Sequence, residues 1–221
     1  MPHQSGNAYG LTTLCPLMSA EQYWRTHPRG AGLHDSPATL LKDFLNDQPL
    51  DSASPMAKVP NTYLCRFFVL DDVVYEGKPA LAEHLESKYL VFVCELHGEL
   101  KRYLTGMWTH AEQFVQQAFQ YCIGFDGVRD AAGFVQYIER CQVETTFYFN
   151  GSNDKPLAEQ LKALYLKQEL AKFAAEHQGK PAAELQQAFQ QFVARVKPRE
   201  LEGPSWRPGA NSLKTAVIGE G

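Results

Sequence analysis

No stretch of this 221-residue chain approaches about 20 consecutive apolar residues, so the sequence predicts no membrane-spanning helix. No block of clustered Lys and Arg is present. With 21 basic against 25 acidic residues the formal net charge is −4, which argues against a nucleic-acid binder, since phosphate neutralisation needs grouped cations. The start, Met1-Pro2-His3-Gln4-Ser5-Gly6-Asn7, has neither a basic nor an apolar segment, so no secretory signal is visible. Gly-x-Gly-x-x-Gly, Gly-x-x-x-x-Gly-Lys-Ser/Thr, Gly-x-Ser-x-Gly and His-Glu-x-x-His are all missing. That weighs against nucleotide-dependent enzymes, α/β-hydrolases and the common zinc hydrolases. Cysteine is sparse: Cys15, Cys65, Cys94, Cys122 and Cys141 never form a Cys-x-x-Cys pair, and each sits in an apolar run. They read as buried structural thiols in a reducing compartment, most simply the cytoplasm. A chain whose export signal had been removed would read the same way.

What remains is an ordinary globular mixture, 44% hydrophobic and 12% aromatic. A chain of this length buries roughly 70% of its unfolded surface and folds without metal or disulfide. Residues 9–17, 62–74, 89–96 and 143–149 carry strand signals, the second and third apolar on both faces. Ser36-Pro37 opens a helix carrying Leu40, Leu41, Phe44 and Leu45, and residues 80–87 read as a short helix. Leu100, Tyr103, Leu104, Met107, Ala111, Phe114, Val115, Ala118, Phe119 and Cys122 hold a 3.6-residue period through one long helix or two collinear ones. Phe134, Tyr137, Ile138 and Cys141 mark the next helix. Asp154 reads as the cap of a helix with Pro156 in its first turn, and Leu157, Leu161, Leu164, Leu170 and Phe173 form its stripe. Gly179 and Pro181 separate it from a second stripe, Leu185, Phe189, Phe192 and Val196. From Pro198 the chain is rich in Pro and Gly around Trp206. The order strand, helix, strand, strand, helix, strand predicts an α+β fold with a ferredoxin-like βαββαβ core over residues 1–152. A helical hairpin, residues 153–197, packs on it, and residues 198–221 form an extended tail.

Candidate chemistry is thin. Glu95 and His97 share a strand face and offer two metal ligands without a third in register, so no metal or cofactor is implied; a strand end turning into solvent explains them as well. Arg66, inside an apolar strand, needs a partner such as Glu95 or Glu144, or else marks an anion site or an outward-facing edge. Asp71 and Asp72 either orient a base or cation, or make Asx turns where a strand ends. His110, beside Trp108, is a haem ligand or a surface histidine; His27, His34 and His84 have no partner spacing, and His3 and His177 read as surface residues. Cys122, in Cys-Ile-Gly-Phe-Asp-Gly, lacks the basic surroundings of a nucleophile. Phe67, Phe92 and Phe147 line an apolar pocket or pack the core. Trp206, Arg207, Phe189 and Phe192 are docking candidates, with Trp206 alternatively anchoring the tail on its own domain.

The segments Leu64-Cys65-Arg66-Phe67-Phe68-Val69-Leu70-Asp71-Asp72, residues 90–98 leading into Tyr103-Leu104, Cys122-Ile123-Gly124-Phe125-Asp126-Gly127 and Phe134 with Tyr137 resemble a diffuse bacterial pattern. It belongs to small ferredoxin-like, dimeric α+β-barrel-type proteins found alongside or fused to lipid-oxidising enzymes such as lipoxygenases and haem peroxidases. The resemblance covers residues 9–150, has Asp126 where the pattern has proline, and carries no catalytic residue to any position here. It implies a non-enzymatic accessory or inhibitory protein that binds a partner enzyme, a lipoxygenase-like oxygenase. The competing expectation is a dimeric barrel enzyme or carrier for a small apolar ligand or haem, self-associating through its sheet as a homodimer.

Overall fold

The computed structural model describes residues 3–27, 35–73, 77 and 83–210. A two-residue strand, β1 (Gln4–Ser5), turns at Gly6 and leads into β2 (Ala8–Pro16). Ser19 opens α1 (Ala20–Thr26), its side chain accepting from Gln22 N while the Gln22 amide reaches back to Ser19 N. This capping box satisfies two otherwise orphaned donors. Ser36 caps α2 (Pro37–Asn46), which has proline in its first turn. A single 3₁₀ turn (Pro55–Lys58) precedes β3 (Thr62–Leu70) and β4 (Tyr89–His97). Four helices follow: α3 (Leu100–Phe119), α4 (Ala131–Cys141), α5 (Leu157–Glu176) and α6 (Ala182–Val196).

The strands form one antiparallel sheet in the order β1-β2-β4-β3. Side chains alternate across a strand. Leu11, Cys15, Phe92, Cys94, Leu96, Cys65, Phe67 and Val69 therefore share one face, and this face is buried or half-buried against the helices. The other face carries Gly10, Thr12 and Leu14 of β2, Glu95, Val93 and Val91 of β4, and Leu64, Arg66 and Phe68 of β3, in matching register. Phe119 is fully buried at the centre of the helix-side core, with the rings of Phe67, Phe92, Phe125, Phe134 and Tyr137 around it at centroid distances of 5.5–6.4 Å. The long periodic segment is two helical halves joined at a kink at Ala111 (φ −138°, ψ 30°), so the halves are not collinear.

The architecture is mixed α+β, one antiparallel sheet with six helices among the described residues. Several features differ from expectation, the short strand β1 among them as an addition. The helix α1 is an addition, and its Ser19-x-x-Gln22 signature was legible. The expected fourth strand at residues 143–149 is not a strand: Gln142 bridges Thr13 and Val143 N donates to Thr12 O at 2.8 Å, and the pairing stops there. Continuing antiparallel along β2 would bring this segment to Ala8 and Tyr9, the edge positions that β1 already occupies. The chain instead crosses the open face, where Tyr148 lies over Gly10 so closely that a Cβ there would be 2.9 Å from the ring. Val74 and His34 lie outside the described residues. So do the first residues of the expected 80–87 helix, whose described remainder is not helical.

Candidate functional site

The open sheet face and the end of β4 hold Arg66, Glu95 and His97 of the sequence-predicted residues. Arg66 is exposed opposite Val93, and makes no ion pair among the described residues. The expected bridge to Glu95 or Glu144 is therefore not formed: Glu95 stands diagonally opposite on β4, and Arg66 satisfies itself in solvent. Glu95 lies beneath Tyr148, with Oε2 buried and without a hydrogen-bond partner. Burial and the Glu95 carboxylate push the Tyr148 phenol up. Around these groups the sheet leaves apolar side chains in water: Leu64 is 70% exposed, Phe68 43% and Leu14 36%, with Phe147 and Phe149 from the crossing segment more exposed still. Phe67 and Phe92 stack at 4.4 Å on the opposite, helix-covered face, so they and Phe147 line no common pocket.

At the end of β4, Tyr63 Oη donates to the Lys155 carbonyl at 2.7 Å and lies 2.7 Å from His97 Nδ1. Burial first, then the Asp154 carboxylate, push the Tyr63 phenol up, so it keeps its proton at neutral pH. Asp154 itself does not cap α5, whose N-cap is Pro156; its carboxylate instead accepts from Asn7 N and Nδ2, fastening the chain before the hairpin to the β1–β2 turn. Glu95 and His97 share a face, yet no group of three His, Cys, Asp or Glu side chains is placed to hold a metal among the described residues.

The two aspartates after β3 are occupied by neighbours. Asp71 pairs with Lys42 and Lys88. Asp72 accepts from Leu85 N, the His84 ring and Val73 N, which together hold its carboxyl down at about 2. His84 thus has the partner that spacing did not reveal. Sequence also hid the grouping of the thiols. All five cysteines are free, but Cys65 faces Cys94 across the β3–β4 ladder, and Cys15 reaches both Cys122 and Cys141. Hydrogen bonding to Cys122 and burial push Cys15 up to about 12, and burial pushes Cys65 up to about 11. Thiols in this state supply almost no thiolate at neutral pH and are poor nucleophiles.

The hairpin has its own small apolar cluster, Phe173, Phe192 and Val196, separate from the main core. Phe192 is 8% exposed, so it packs the hairpin and is not free to dock. Phe189 remains 46% exposed and forms a ridge with Leu185 and Val193, at 38% and 36%. Trp206 Nε1 donates to Gln168 Oε1 at 3.2 Å, which ties the tail to α5, while Arg207 is exposed. Lys162, 3% exposed, donates to the carbonyls of Val196 and Pro204 at 2.9 and 2.7 Å. It thereby closes both the end of α6 and the start of the tail. Gly209 (φ +72°) meets the backbone of Asp51 and Ser52, so the tail also touches the β3-side loop.

Comparison with protein-family models, with curated proteins and with solved structures finds no match. No helix among the described residues is long and apolar enough to cross a membrane.

Proposed function

We propose that this chain is a non-enzymatic accessory protein that docks onto a partner enzyme through its C-terminal hairpin. The observation that carries this reading is the α6 ridge. Leu185, Phe189 and Val193 recur at i, i+4 and i+8, each more than a third exposed, on a hairpin that buries little apolar surface of its own. One border is the uncharged Gln186 and Gln190, and the other is Ala188 and Phe192, which pack inside the hairpin. An exposed apolar ridge with a polar border fits an amphipathic helix of a protein partner, which would lay its own apolar face along it. The partner class, a lipid-oxidising oxygenase such as a lipoxygenase, rests on the sequence resemblance. So does the ferredoxin-like descent of the body. In its support, β2 and β3 run parallel with β4 between them, and Gln142–Val143 return to the edge of β2 where a fourth strand would sit. Five free thiols support a reducing compartment, most simply the cytoplasm.

A second reading has an observation of its own. The exposed Leu14, Leu64 and Phe68 on the open sheet face favour two copies meeting face to face as a homodimer with a small apolar ligand between them. One experiment separates the two: native mass spectrometry of the protein purified gently from its host, with a photo-crosslinking residue at position 189 in one preparation and at position 68 in another. Docking predicts a stoichiometric second polypeptide crosslinked from 189 through an amphipathic helix, and lost in Leu185→Gln with an unchanged Tm. A self-crosslink from 68 moves the assignment to the homodimer, and a monomer without crosslinks overturns both.

A further inference from the structure

The groove between the solvent side of α3 and the turns at residues 60–61 and 97–99 has a volume of about 700 Å³ and shares no residue with the α6 ridge. Three observations converge on it. The first is a proton count at His97, which lines the groove. The Tyr63 hydroxyl has one hydrogen and gives it to the Lys155 carbonyl. The 2.7 Å contact with His97 Nδ1 is therefore made with the imidazole as donor. In the neutral ring the proton stands on Nδ1, and Nε2 carries the free lone pair. The second is Arg102, an exposed cation in the groove lining that makes no ion pair among the described residues. The third is Gly106, in the middle of α3. Glycine weakens a helix interior relative to alanine. Here its φ is not positive and a Cβ would meet nothing within 4 Å, so neither backbone geometry nor internal packing requires it. What the missing side chain does leave is a clear groove wall between Arg102 and Thr109.

We propose that this groove binds a small hydroxylated oxyanion, a carboxylate or phosphate whose charged end pairs with Arg102 and whose hydroxyl donates to His97 Nε2, with Tyr63 as the positioning residue that fixes the tautomer. Its volume lies within the roughly 300–1,000 Å³ of ordinary ligand sites. Glu99, the one carboxylate in the lining, disfavours a second anionic group on the same ligand.

The test uses the full ¹⁵N-labelled chain titrated with sodium L-lactate, with glycerol 3-phosphate and with sodium chloride as the ionic control. Long-range ¹H–¹⁵N spectra of the free protein are expected to show His97 protonated at Nδ1 and bare at Nε2. Lactate binding identifies the carboxylate class and glycerol 3-phosphate the phosphate class, each by shifts at the Arg102 side chain and at His97 Nε2. Arg102→Gln is expected to weaken binding roughly ten-fold or more, the worth of one charge-assisted hydrogen bond. Gly106→Leu is expected to fold with an equal or higher Tm and to lose binding, which a purely structural glycine would not do. Tyr63→Phe is expected to mix the His97 tautomers and weaken binding while the Arg102 response persists. A proton on Nε2 in the free protein, no response beyond chloride to either compound, or wild-type binding by Gly106→Leu overturns the assignment.

Discussion

The body and the hairpin of this protein are both built from amphipathic segments, but they close their apolar surfaces very differently. In the body, thirty buried residues among those described, from β2, β4, the helices α1–α4 and the turns between them, form one cluster centred on Phe119 and its ring of aromatics, with β3 packed half-buried against it. In the hairpin, two helices of 20 and 15 residues bury three apolar side chains, and a polar latch supplies the rest. Lys162 holds two carbonyls at the hairpin base, and Glu169 joins Lys172 to Arg195 across the two helices. The difference teaches that amphipathicity specifies a helix but not its partner. A two-helix unit cannot surround its own stripe, so its ridge stays in water until something else covers it.

This comparison is sharpest when each region is cut separately. The largest effect is expected from Phe119→Ala, which leaves a cavity amid five rings and should cost about 3–5 kcal/mol, lowering the denaturant midpoint of the whole chain. Lys162→Met keeps the apolar stem and removes the two hydrogen bonds, at a cost of about 1–3 kcal/mol for buried carbonyls left unpaired. Amide exchange should accelerate in α5 and α6 and stay unchanged in α3; equal acceleration in both would show that the hairpin and body unfold as one unit. Gly10→Ala drives a methyl into the Tyr148 ring and should cost a comparable or smaller amount, about 1–3 kcal/mol as overpacking. Fluorescence or near-UV circular dichroism would report Tyr148 leaving Glu95, and an unchanged signal would mean that the crossing segment is not fixed over the face.

The smallest effects are electrostatic. Lys172 and Arg195 hold Glu169 below its ordinary value, so the latch contributes stability above that value and loses it as pH falls through the depressed one. Asp72 behaves alike in the body, its contribution disappearing between the ordinary 3.8 and about 2. Acid should therefore loosen both the α5–α6 latch and the segment after β3 held by Asp72, as measured by residue-resolved exchange while pH falls below the ordinary carboxylate values. Glu169→Gln should abolish the hairpin's share of the pH dependence and leave that of the body.

Much of the local structure was legible, because it rests on short-range rules. The strands at 8–16, 62–70 and 89–97 and the helices at 37–46, 100–119, 131–141, 157–176 and 182–196 follow from alternation, period and punctuation by Pro and Gly. The helix α1 was missed although Ser19 and Gln22 announced it, since its 7 residues carry too little apolar period to stand out. Residues 143–149 alternate like a strand and are not one, because strand formation depends on a free edge, and β1 had taken it. The sites were less legible still. For Arg66, a charge in an apolar run, the sequence left an ion pair, an anion site and an outward-facing position open, and β3 turns it outward. His97 drew attention beside Glu95, yet its partner is Tyr63, 34 positions earlier in the chain.

By itself the sequence determined where the chain extends, where it coils and which residues prefer burial, since propensity, capping and periodicity act within a few residues. Only the tertiary structure decided which strand edge is occupied, which cysteines meet and which nitrogen of His97 carries the proton. It also left the apolar ridge of the hairpin uncovered. Each of these depends on pairing between segments tens of residues apart, and no local free energy encodes that pairing.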